Sequence, residues 1–394
     1  MNAKLFSISL LTAGVLLASA SPASASGYKF TDLDTLGGRY SIAYGINNSG
    51  QVVGYRDLST GNIRATIWNG TTPTDLGEVG GVGISYAFGI NNAGQVVGYA
   101  GGHATIWNGT TPTDLGTLGG NYSRAYGINN AGQVVGSAGS AGAGGYDHAT
   151  IWNGTTPTDL GKAGRGLPIV GGVGDSTANA INDSGQVVGY AGGHAIIWNG
   201  TTPTVLGALG GNHSYAFGIN NAGQVVGVAS TFRDAASHAT IWDGTALHTP
   251  TDLGTLGGNY SRALDINNSG QVVGYSYMSM SNGDGTHATL WNGTTPTDLN
   301  NYLSMSEHNA GWVLGVAIGI NDNGWIVGNA YNPIARVYHP FLLTPCPTCT
   351  SYPYDYSVPV PIYAPIPEPE IYAMFMAGLG LMGFIARRRK NGQA

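Results

Sequence analysis

The chain has 394 residues, of which 65 are glycine, and only 9% are charged, against roughly a quarter in an ordinary soluble domain. Its 42% hydrophobic and 10% aromatic content excludes an intrinsically disordered chain, and the glycines keep no triplet spacing, which excludes collagen. With both ends set aside, residues 26–366 hold 10 Lys and Arg against 19 Asp and Glu, so nucleic acid is not an expected partner for a body near −9.

The N-terminus reads as a secretory signal peptide over residues 1–25. Lys4 supplies the cation, Leu5 to Ala18 the apolar stretch, and Ala23-Ser24-Ala25 the cleavage site. The segment Tyr28-Lys29-Phe30-Thr31-Asp32-Leu33 follows, an isolated strand with no hairpin partner nearby.

From here the chain repeats itself. One copy runs from Tyr86 through Gly89-Ile90-Asn91-Asn92 and Gln95-Val96-Val97-Gly98 to His103-Ala104-Thr105-Ile106-Trp107 and Thr113-Asp114-Leu115. The first asparagine of the Ile-Asn element recurs at Asn47, Asn91, Asn129, Asn182, Asn220, Asn267 and Asn321, spaced 44, 38, 53, 38, 47 and 54 residues apart. Each copy supplies four short strands: Y-A-x-G-I-N, Q-V-V-G-Y, H-A-T-I-W and T-P-T-D-L. The N-N-x-G and N-G-T-T-P links between them have the composition of tight turns, which explains their glycosylation-like N-x-[ST] matches. Four antiparallel strands per ~45 residues is the unit of a β-propeller blade.

The seventh copy stops after its third strand, and the segment at Tyr28 is a fourth strand without the preceding three. Joining them predicts an all-β, seven-bladed β-propeller over residues 28–344, closed by the N-terminal strand. A β-solenoid is the alternative, and it gives no use for the spare strand. The motifs D-L-G-x-L-G-G, G-I-N-x-x-G-Q-V-V-G and H-A-x-x-W resemble the HAF-repeat family of bacterial extracellular proteins. The third residue of its His-Ala-Phe element is usually Thr here, as in His103-Ala104-Thr105, and His194-Ala195-Ile196 and Arg64-Ala65-Thr66 depart further; the resemblance implies no general catalytic activity.

Two repeated positions could carry chemistry. Trp68, Trp107, Trp152, Trp198, Trp242 and Trp291 could stack on sugars, but one indole per unit at a fixed place is how a core repeats. His103, His148, His194, His238, His287 and His339 recur with a fourth-strand aspartate, which predicts a His–Asp or His–backbone hydrogen bond that fixes each blade. Arg64 and Val205 replace one partner each. No metal or other cofactor is expected.

The irregular insertions fall between second and third strands, or between copies. They therefore gather on one face, and the short repeated turns lie on the other. The varied face holds Asp147, Arg165, Asp175, Arg233, Asp234, Asp284 and Glu307, the expected ligand residues.

Cys346 and Cys349 have too few companions for a zinc site, so a local disulfide is expected in an oxidising compartment. Residues 345–366 alternate proline and tyrosine as an extended stalk of roughly 60–70 Å. Then come Pro367-Glu368-Pro369, an apolar stretch over 371–386, and the basic cluster Arg387, Arg388, Arg389 and Lys390. Such a helix spans about 24 Å, near the ~30 Å hydrocarbon core, and its basic end stays cytoplasmic.

This order resembles the PEP-CTERM sorting signal over 367–394. The resemblance implies processing by an exosortase, a membrane-embedded enzyme. It also implies transient passage through the inner membrane by 371–386 and delivery to the cell surface or extracellular matrix of a Gram-negative bacterium. A permanent single-span anchor is the alternative.

Three function classes follow: a propeller that binds an extracellular polysaccharide or a surface protein, a structural matrix component, and a secreted polysaccharide-active enzyme. The enzyme reading is short of acid. Before the tail the only glutamates are Glu78 and Glu307, which leaves Asp147, Asp175, Asp234 and Asp284 as carboxylate sources. A non-enzymatic binding or scaffolding role is expected.

Overall fold

The computed structural model describes residues 27–33, 40–58, 62–79, 83–141, 147–161, 175–243, 249–279 and 285–349. The signal peptide at 1–25, most of the stalk, Pro367, Glu368, Pro369, the helix at 371–386 and the cluster Arg387–Lys390 lie outside them, as do Arg165 and Asp284. Among the described residues no helix is long and apolar enough to cross a membrane.

The chain is all-β, and its one described α-helix, Met305–Asn309, has five residues. Each repeat folds as a four-stranded antiparallel unit in sequence order. The second copy, for example, pairs Ser85–Ile90, Gln95–Ala100, His103–Asn108 and Thr111–Asp114. Five sheets have four strands. The eight-stranded sixth sheet is two such units joined at the parallel pair Ser237↔Tyr260. The last unit takes its outer strand from the other end of the chain, since Tyr28–Asp32 pairs antiparallel with Val337–Pro345. Asp32 stands opposite Phe341, the register that Asp114 keeps opposite Thr105.

The first asparagine of each copy explains the turns. Asn91 Oδ1 accepts from the Ala93 and Gln95 backbone N–H groups, and its Nδ2 donates to Gln95 Oε1. The same Nδ2 donates to the Asn129 carbonyl of the next unit at 3.1 Å. This link repeats at every boundary and returns to its start, with Asn321 donating to the Asn47 carbonyl at 2.9 Å. A second cycle runs beside it. Each following residue donates its backbone N–H to the next copy's side chain, from Asn48 to Asn92 and finally from Asp322 to Asn48.

The core lies between neighbouring units. Trp107 is fully buried against Val53, Ala65 and Leu76 of the preceding unit and Ala87 and Val96 of its own. The set repeats with Trp152, Trp198, Trp242 and Trp291. Trp68 joins Ala43 and Val52 to Leu33, Val327 and Leu342, so the first unit packs on the last. Burying an indole at six of the seams adds a large apolar area to each of those clusters. The glycines of Q-V-V-G allow close strand packing: a Cβ at Gly98 would collide with the Tyr86 carbonyl.

Candidate functional site

Strand direction sorts the connections onto two ends of the units. The N-N-x-G turns and the N-G-T-T-P turns share one end, and the longer connections share the other. All seven large hydrophobic side chains that stand exposed among the described residues sit at the varied end. They are Tyr40, Ile84, Phe232, Tyr277, Met305, Ile334 and Tyr338. The uniform end carries none of them.

A bulge in every first strand shapes the middle of the molecule. The register shifts between Ala43 and Gly45, and likewise in the other six copies. An extra residue in one strand re-aims its side chain. The bulged residues Tyr44, Tyr126, Asn179, Phe217, Leu264 and Ile318 line a central cavity of about 340 Å³. Next come the seven isoleucines that precede the asparagines. With both asparagine cycles they wall a second, polar cavity of about 160 Å³ at the uniform end. That end is already hydrogen-bonded within itself: the Asp183 carboxylate accepts from Asn130 N–H, Asn130 Nδ2 and Asn221 Nδ2, and those bonds hold its pKa below the ordinary value although burial opposes them.

Two copies break the pattern inside the channel, the fourth with Ala180 and the sixth with a carboxylate. Five copies place glycine just before the isoleucine, and a Cβ at Gly89 would stand 2.9 Å from the Tyr126 carbonyl of the next unit. The sixth copy has Asp265 there. Its Oδ2 accepts from Ile320 N–H at 2.9 Å and its Oδ1 from Ile266 N–H at 2.9 Å. This carboxyl lines the central cavity half-buried, and burial pushes its pKa up to about 7. The two N–H bonds oppose that rise, and Asp322 adds to it.

The varied end of the channel is rich in tyrosine and arginine. Tyr44 packs on Tyr55 and Phe88, and Tyr86 on Tyr55, Phe88 and Tyr99. Burial, with Tyr55 and Tyr86 beside it, lifts the Tyr44 hydroxyl to about 12. Arg124 lies over Tyr99 and Tyr122, and Arg262 over Phe217, Tyr260 and Tyr275. Sequence analysis passed over Arg124, Arg262 and Asp265 because they lie within repeat strands. The available signal was departure from the repeat at a fixed position.

The expected ligand residues divide into separate groups. Asp175 Oδ1 accepts from Asp147 N–H at 3.2 Å; burial first, and Asp175 second, raise the Asp147 pKa. Asp234 accepts from Asn212 N–H and Nδ2 at 2.8 and 2.7 Å, and hydrogen bonds hold its pKa low. Arg233 and Asp234 both adopt positive φ, 58° and 56°, beside the exposed Phe232. Strain of this kind in residues other than glycine concentrates at binding sites. Glu307 caps the short helix by accepting from Ser304 N–H at 2.6 Å.

The repeated histidines meet their aspartates. His103, His148, His238, His287 and His339 lie 2.7–3.0 Å from Asp114, Asp159, Asp252, Asp298 and Asp32. Where arginine replaces histidine, Arg64 reaches Glu78 at 2.6 Å. Each pair joins third and fourth strands at the outer side of a unit, so the histidines do not converge. Among the described residues no three His, Cys, Asp or Glu side chains gather to hold a metal. Cys346 and Cys349 are disulfide-bonded with Cα atoms 5.3 Å apart, and Cys346 N–H donates to the Gly27 carbonyl.

A family model described as the PEP-CTERM protein-sorting motif matches residues 365–390, and the chain carries that motif. Such motifs are generally processed by exosortase and direct export to the cell envelope or surface. No curated protein matches the chain. Among solved structures, it is similar to the extracellular domain of a putative one-component system from B. thetaiotaomicron, at 9% identity and TM-score 0.47 over 80% of this chain and 40% of that one. A puromycin-hydrolysing peptidase from Mycobacterium tuberculosis gives 11% and 0.45, over 79% and 53%. A Trypanosoma rangeli sialidase gives 12% and 0.34, over 81% and 54%. The chain spans about half the length of those proteins.

Proposed function

We propose that this is an exported binding protein: a seven-bladed β-propeller of HAF-type repeats that meets its ligand with the varied face. Its tail is handled by an exosortase at the inner membrane of a Gram-negative bacterium. The released body, residues 28–344 on its stalk, then stays at the cell surface or in the extracellular matrix. The observation that carries the binding role is the asymmetry of the two ends, since every exposed large hydrophobic side chain among the described residues lies at the varied one. Exposed apolar groups gathered on one face mark an interaction surface. The uniform end is spent on bonds between units, while the varied end has loops, rings and charges that differ from copy to copy. The chemistry supports binding or scaffolding rather than catalysis, because Asp234 and Glu307 are engaged in local hydrogen bonds.

Cell fractionation tests this reading. Phe232→Ser/Tyr277→Ser/Tyr338→Ser should be processed normally but shed into the medium. Thr110→Ala/Thr155→Ala/Thr201→Ala, on exposed turns of the uniform end, should remain at the surface. Pro367→Ala/Pro369→Ala should stay uncleaved in the inner membrane. Normal surface retention of the varied-face variant would count against the proposal.

The polysaccharide-active alternative has one observation in its favour, the proximity of Asp147 and Asp175. It predicts release of sugar ends from a surface polysaccharide and loss of that release in Asp147→Asn.

A further inference from the structure

Building on the binding role above, we infer that the varied mouth of the central cavity binds a polyuronate, a polysaccharide whose sugars carry carboxylates, through Arg124 and Arg262. The two arginines occupy the same place in the first strands of the third and sixth copies. The other copies hold Ile42, Tyr86, Thr177, Tyr215 and Val316 there, so the cations are departures from the repeat and not part of its framework. Arg64, which takes the place of a repeated histidine, is paired with Glu78. Neither Arg124 nor Arg262 has a carboxylate within the 4.0 Å of an ion pair among the described residues. Asp147 acts on Arg124 from farther away. The Nε of Arg262 is buried with no hydrogen-bond partner.

Aromatic rings hold both guanidinium groups in place. Arg124 stands 4.9 Å from the Tyr122 ring centre and 5.5 Å from that of Tyr99; Arg262 stands 5.0 Å from that of Phe217 and 5.8 Å from that of Tyr260. A planar fork of N–H donors fixed this way suits a carboxylate, which it can bind through two parallel bonds. Flanking tyrosines offer flat apolar faces and hydroxyl groups, which suit sugar rings. Deeper in, the channel reverses sign. Asp183 and Asp322 lie at the far end. An acidic chain is therefore repelled from threading inward and lies across the mouth, where the cations are. A neutral glycan would leave the guanidinium groups without a partner.

The test uses the purified full chain in detergent and calorimetric titration with polygalacturonate, polymannuronate and fully methyl-esterified polygalacturonate. The ester keeps the sugar rings and removes the charge. At least one acidic polymer should bind, and the ester should bind at least about tenfold more weakly, the loss expected for a charge-assisted contact. Arg124→Gln/Arg262→Gln should lose at least about tenfold in affinity with an unchanged melting curve, and Arg124→Lys/Arg262→Lys should fall between. Lys29→Gln, which removes one cation from an outer strand, should bind as the parent does. Equal binding of ester and acid, an unaffected double glutamine variant, or no binding of either polyuronate would overturn the inference. If polyuronates fail while Phe232→Ser/Tyr277→Ser/Tyr338→Ser is still shed from cells, the varied face stands and its ligand is of another class, such as a protein.

Discussion

At the scale of single residues, the departures from the repeat carry the information about function. Asp265 is the clearest case, a carboxyl where five other copies have glycine. Its folded pKa is raised from 3.8 to about 7, so the folded chain holds a proton that the unfolded chain releases across that interval. The stability tied to this group is complete below about pH 4 and is lost as pH rises towards 7. The whole interval corresponds to at most roughly 4 kcal/mol at ~1.4 kcal/mol per pH unit. Asp265→Gly should remove that slope, which denaturant midpoints measured from pH 4 to 8 would show. An unchanged slope would mean that water fully solvates the carboxyl. The serines show what a reading of motifs misses. Ser85, Ser123, Ser176, Ser214 and Ser261 each stand six residues before the asparagine and accept the backbone N–H of the preceding unit's third strand, at 2.8–3.0 Å. That recurrence was visible in the sequence, but a small polar residue gives no sign of a bond to a neighbouring unit.

At the scale of elements, the informative strand is the one farthest in sequence from its partner. Leu33 is fully buried among Ala43, Val52, Trp68, Val327 and Leu342, as Leu115 is buried between the second and third units. Leu33→Ala and Leu115→Ala should therefore each cost about 3 kcal/mol, the usual loss for a buried leucine. A terminus that merely frays would lose far less at Leu33, and chemical denaturation distinguishes the two. The four strands of a unit were legible because apolar periodicity and Asn-Gly turns recur in each copy. The incomplete seventh copy also indicated that the Tyr28 segment belongs with His339, and Asp32 lies 2.9 Å from it. The first-strand bulge was not legible. Its signal is the wide spacing of Ala43 from Gly45, which in sequence resembles ordinary alternation, yet it determines which side chains reach the cavity.

At the scale of the whole molecule, the two ends of the repeat differ in structure: the uniform end bonds from unit to unit and the varied end carries the exposed rings. The turns of the uniform face keep nearly the same sequence in every copy because their asparagines bond from unit to unit around a cycle. The opposite ends of the strands have no such duty, so their loops, exposed rings and charges differ. Sequence analysis placed the varied loops on this face from their lengths alone, but not the arginines within it, because rings of the neighbouring copy reach them only after folding. The division of labour is the central claim, and amide hydrogen exchange with and without an acidic polyuronate tests it most directly. Protection is expected in Arg124, Tyr260–Arg262 and Tyr275–Met278, with no change at the seven N-N-x-G turns. Protection at those turns, or protection shared equally by the two faces, would contradict it.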